Sequence, residues 1–145
     1  MAEQNFKNHA RFDPIFHFFI MPVLLINVVA LSIWAYHHRI SNAHTGPLAV
    51  IVAIALLLLA FKARMYSLKV QDRVIRVEEK LRIASLVSAS ELIELDSLTI
   101  EQYVALRFAS NPELPELARR AIREKLTGKQ IKQAVVSWRA DNYRV

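Results

Sequence analysis

Two apolar runs, Ile15 to Tyr36 and Pro47 to Phe61, limit what this chain can fold into more than any other feature. The first is interrupted only by His17, Pro22, Asn27 and Ser32. As a helix it reaches roughly 33 Å at ~1.5 Å per residue, enough to cross a hydrocarbon core of ~30 Å. The second is almost wholly Val, Ile, Leu and Ala, and spans ~22 Å. Ala63, Met65, Tyr66 and Leu68 extend its apolar supply, while Lys62 and Arg64 can snorkel to headgroups. Covering two such runs with protein would take far more chain than 145 residues provide. Trp34 and Tyr36 sit where an aromatic belt belongs. Pro22 is positioned to kink the first span. The short connection His37 to Gly46 makes an antiparallel transmembrane hairpin the expected arrangement, over residues 15–68, with spans 15–36 and 47–68 and an outer loop at 37–46.

The chain is 54% hydrophobic and 22% charged with a net charge of +6, so the two kinds of residue are segregated. Lys7 and Arg11 precede the first span, and the connection holds only Arg39. Lys62, Arg64, Lys69, Arg73, Arg76, Lys80 and Arg82 follow the second. The positive-inside rule then puts both termini in the cytoplasm, with residues 1–14 as a cytoplasmic leader. The first span is long for a signal-peptide core, and Asp13-Pro14 is a poor lead-in to one.

No Gly or Pro lies between Pro47 and Pro112. The second helix is therefore expected to leave the bilayer and continue to about Val87, residues 69–87 forming a stalk. At 100° per residue the stalk has three faces. Lys62, Lys69, Arg73, Arg76 and Lys80, with Arg64, form a basic ridge, either a solvated face or a contact for anionic lipid or an acidic partner. Val70, Val74, Val77 and Leu81 form a packing stripe, expected against tail helices carrying Leu106, Leu117 and Trp138. It covers under two heptads, less than a coiled coil usually shows. Leu68, Ile75 and Leu86 form the third face. Asp72–Arg76 and Glu78–Arg82 have i,i+4 spacing, each worth ~0.2–0.5 kcal/mol.

Residues 88–145 read as a small helical domain, which makes the fold class all-α. Ser88 to Glu91, Thr99 to Gln102 and Thr127 to Gln130 have capping-box spacing, and Asn111-Pro112 resembles an N-cap followed by Pro at N1. These open helices expected to end near Ala109, Leu126 and Trp138. Tyr103, Val104, Leu106, Phe108, Leu114, Leu117, Ala121, Ile122, Leu126, Ile131, Ala134, Val135 and Trp138 supply one core. Fewer than about sixty residues yields roughly 3–5 kcal/mol at best, so the domain needs support from the stalk, another copy or a partner. Arg107, inside an apolar run, needs a carboxylate or carbonyl partner if buried, and a structural ion pair is expected. Basic residues here interleave with Glu113, Glu116 and Glu124 and match no nucleic-acid signature, so no nucleic-acid partner is expected.

Two glycines and no cysteine leave no phosphate loop, disulfide framework or thiolate site, and neither HExxH nor GxSxG occurs. No catalytic residue, metal ligand set or small-molecule substrate is identifiable, and no cofactor is required. The histidines are the remaining chemistry. His17, just inside the first span, is a candidate cofactor or tetrapyrrole ligand, or simply a partner for a nearby carbonyl. His37, His38 and His44 are a polar loop or a metal trio.

Several strings are distinctive together: Gln4 to Phe12 with Pro14 to Phe18, Gln71 to Glu79, Leu106 to Ser110, Glu113 to Pro115, and Ile131 to Trp138 with Asp141 and Tyr143 to Val145. As a set they resemble a family of small bacterial two-span inner-membrane proteins of unknown function. The resemblance implies a topology in the bacterial inner membrane rather than an activity. The transporter-permease label some members carry finds no support in two spans with one polar mid-span residue. The expectation is a non-enzymatic accessory or scaffold subunit whose partners are membrane lipids and other membrane subunits or itself. A pigment- or cofactor-binding subunit using the histidines and a homo-oligomeric channel or transporter component are the alternatives.

Overall fold

The computed structural model describes residues 5, 6, 8, 13–41 and 43–141, and these form an all-helical protein. A π-helical turn, Phe16–Ile20, leads into α1, Met21–His37. After the loop, α2 runs without interruption from Thr45 to Ala84. Then come α3 (Ala89–Glu94), a 3-10 turn (Leu95–Ser97), α4 (Ile100–Leu106), α5 (Leu114–Arg123) and α6 (Gly128–Ala134). The chain divides into two compact units, one over Phe12–Ser67 and one built on Leu68–Val145.

In the first unit the helical hairpin forms as its breakers dictate. Pro22 has no N–H to give to the carbonyl four residues back. The helix answers with a π turn in which the Met21 N–H reaches the Phe16 carbonyl. The Asp13 carboxylate accepts the Phe16 N–H at 3.1 Å and lies 3.8 Å from Arg64 on α2. At the other end Gly46 is buried against Ala35, where an added Cβ would come within 3.0 Å of the Ala35 Cβ. Among the described residues of this unit, Ala53 is the other buried one.

In the second unit the three capping boxes form at Ser88/Glu91, Thr99/Gln102 and Thr127/Gln130, each with reciprocal side-chain and backbone bonds. Several helix boundaries differ from expectation: α2 ends at Ala84 rather than about Val87, α4 at Leu106 rather than near Ala109, and α5 at Arg123 rather than near Leu126. α5 starts at Leu114 rather than beside Asn111-Pro112, because the Asn111 side chain is engaged by Arg82 at 2.8 Å. α6 stops at Ala134 rather than near Trp138. The following residues pair antiparallel with the α4 exit: the Ser110 N–H donates to Ser137 and the Arg139 N–H to Phe108. The Glu113 carboxylate holds this crossing by accepting N–H bonds from Ser110, Val136 and Ser137.

The core joins Leu106, Phe108, Leu114, Leu117, Ala121, Ile131 and Val135 to residues not anticipated, chiefly Ile83, Leu95 and Leu98. The face α2 turns to this core carries Ile75, Glu79 and Ile83. Val70, Val74, Val77 and Leu81 do not pack there; they are 59%, 50%, 58% and 68% exposed. Spacing alone marks both sets as helix faces. The glutamate on the inward face is accompanied by Arg82 and Arg139, which compensate its burial.

α5 ends in a Schellman motif without glycine: the Leu126 N–H reaches Ala121 and the Lys125 N–H reaches Ile122, with Lys125 at φ 51°. A left-handed lysine costs about 1 kcal/mol relative to glycine. Lys125→Gly is therefore expected to stabilise the unit by roughly 0.5–1 kcal/mol, read as a higher melting temperature.

Candidate interaction surface

α2 carries chemistry on three sides, and the structure sorts them. The buried side is ionic at its centre. Glu79, 4% exposed, meets Arg82 Nη1 at 2.9 Å and Arg139 Nη1 at 3.5 Å. Arg82 also donates to the Ala109 carbonyl at 2.6 Å and to Asn111 Oδ1. Burial pushes the Glu79 carboxyl above its ordinary range, and the two arginines pull against that shift. This cluster clamps α2 to the segment after α4. The expected Glu78–Arg82 pair does not form, since Arg82 turns to Glu79 at i,i+3. Adjacent Glu78-Glu79 hides which carboxylate faces inward. Only the register with Ile75 and Ile83, four residues either side of Glu79, reveals it.

The basic ridge is less uniform than its spacing implies. Lys62, Lys69 and Arg73 are exposed. Arg64 is half-buried against Asp13, with its guanidinium 5.8 Å from the Phe16 ring centroid. Lys80 bonds Asp96 at 2.7 Å and holds that carboxyl below its usual range, and Arg76 is half-buried. Three of the six cations thus remain open for lipid or partner.

The third side is the open valine stripe, flanked by Arg73 and Glu78, which have no ion-pair partner among the described residues. Arg107 is buried, 2.9 Å from Asp141 and stacked on Phe108 at 4.4 Å, the structural ion pair expected of it.

In the hairpin, His17 Nδ1 lies 2.8 Å from the Asp13 carbonyl and His38 Nδ1 2.9 Å from the Trp34 carbonyl. His37 and His38 line a shallow open concavity with Tyr36 and Arg39. Among the described residues no three His, Asp or Glu side chains are grouped to hold a metal, so His37, His38 and His44 are not brought together as one. Asn27, the polar residue within the first apolar run, is exposed on α1. Phe16–His37 and Thr45–Ala84 are long and apolar enough to cross a membrane, and the apolar stretch of the first has no buried residue. Ile15, Phe18, Phe19, Ile26, Leu48, Ile51, Leu58 and Leu59 all stand exposed. Exposed apolar surface of this kind marks a contact site for membrane or protein.

The model of a family of unknown function, DUF6526, matches residues 1–145. No curated protein and no solved structure matches the chain.

Proposed function

We propose, starting from the fact that the chain belongs to DUF6526, a family of unknown function, that it is a non-enzymatic membrane subunit. The hairpin would anchor it in the bacterial inner membrane, with both termini cytoplasmic. The unit after Leu68 would dock onto a larger membrane assembly. The observation that carries this reading is α2 itself. Its forty residues extend about 60 Å, twice a ~30 Å hydrocarbon core. Its first part is lined by exposed aliphatic residues, and its last part is built into a hydrophobic core through Ile83. One helix thereby begins in the apolar hairpin and ends in the folded unit. The acidic groups of that domain support an architectural role: Glu79, Glu91, Asp96, Glu113 and Asp141 are engaged by arginine, lysine or backbone N–H groups.

Fractionation of native membranes tests the reading. The chain should stay in the pellet after an alkaline carbonate wash. In mild detergent it should co-purify with a membrane subunit in fixed proportion, and truncation after Leu68 should abolish that association while leaving insertion intact. Release by carbonate, or a truncated chain that still retains the subunit, contradicts it.

A further inference from the structure

We propose that Val70, Val74, Val77 and Leu81 form the seam of a parallel coiled coil with a second copy of this chain, flanked by Arg73 of one copy against Glu78 of the other. The four residues follow one another at steps of four, three and four, the alternation that keeps a stripe facing a partner helix. All four are at least half exposed, and none belongs to the core of its own unit. Lipid is not the occupant. Val74 lies 29 residues beyond Thr45, about 43 Å along α2 and past a ~30 Å hydrocarbon core.

Charge selects the occupant and its direction. With Val74 and Leu81 at a positions and Val70 and Val77 at d, Arg73 falls at g and Glu78 at the following e. In a parallel pair each g residue meets the e residue five positions on in its partner, so Arg73 and Glu78 form two reciprocal opposite-charge contacts. An antiparallel pair would instead set Arg73 beside Lys80. Neither Arg73 nor Glu78 has an ion pair within its own chain among the described residues. The seam is short, and here the inference rests on the membrane reading above. Two anchors in one bilayer impose the parallel direction and supply an effective concentration that a free short coiled coil lacks.

Disulfide trapping tests the seam in the full-length chain, which has no cysteine of its own. Single variants Val74→Cys, Val77→Cys and Lys69→Cys are oxidised with copper phenanthroline in washed membranes. Lys69 is exposed on another face of α2. Dimer yield at positions 74 and 77 should exceed that at 69 at least about fivefold. Adding Arg73→Glu to Val74→Cys should lower the yield several-fold, roughly to the Lys69→Cys level, and further addition of Glu78→Arg should restore it. Equal yields at all three positions, no dimer at 74 and 77, a crosslink only to a different polypeptide, or failure of the double charge swap to restore the yield overturns the seam. Recovery of the chain in the soluble fraction overturns the membrane reading instead, and the same trapping pattern measured there judges the seam separately.

Discussion

Ile83→Asp is expected to unfold the unit after Leu68, whereas Val74→Asp leaves it folded. Ile83 is 1% exposed and touches the cluster that holds Leu95, Leu106 and Leu117 together. Removing its side chain forfeits about 2–5 kcal/mol of burial and packing, and an unpaired buried carboxylate adds several more. That sum exceeds the roughly 3–5 kcal/mol a domain of this size holds. Val74 is half exposed, so an aspartate there costs the fold about 0.5 kcal/mol or less. Limited proteolysis with detection of the C-terminal fragment reads both variants. Protease resistance after Leu68 should vanish for Ile83→Asp and match wild type for Val74→Asp.

The second large effect is expected at Arg82. Arg82→Ala strips Glu79 of its closest countercharge and removes the donors to the Ala109 carbonyl and Asn111. A loss of about 2–4 kcal/mol should follow, discounted from the full cost of an orphaned buried charge because Arg139 stays near. The loss depends on pH. Burial already raises the Glu79 carboxyl above its ordinary value of 4.5, and removing Arg82 raises it further. A carboxyl shifted upward on folding favours the folded state below its unfolded value, and that contribution disappears as pH climbs through the folded one. The deficit of Arg82→Ala should therefore be largest at neutral pH and shrink as pH falls toward 4.5. Thermal unfolding followed through Trp138, which packs on Phe108 at 5.0 Å, provides the measurement.

Features set by neighbouring residues could be read from the chain directly. The three capping boxes, the unbroken α2 and the apolar character of both spans are local, and each appears in the structure. Features set by distant residues could not. Which stripe of α2 faces inward depends on Arg82 and Arg139 meeting Glu79, and Arg139 lies sixty residues away. The late start of α5 depends on the same Arg82 recruiting Asn111, and the early end of α6 on Glu113 gathering three backbone N–H groups. Period and propensity rank a valine stripe above one containing glutamate. An ion cluster that satisfies the glutamate reverses that order, and its member Arg139 lies outside the helix whose spacing is read.

The hairpin is expected to cross a bilayer and to hold the unit after Leu68 on its cytoplasmic side. Site-directed labelling tests it most directly, because a cysteine-free chain allows single thiols to be placed at will. Ile40 in the loop and Val136 after α6 are 93% and 90% exposed, so neither substitution disturbs packing. In intact cells a membrane-impermeant maleimide with access to the periplasm should label Ile40→Cys and leave Val136→Cys untouched until the inner membrane is permeabilised. Labelling of Val136→Cys in intact cells, or protection of Ile40→Cys until permeabilisation, would contradict the account.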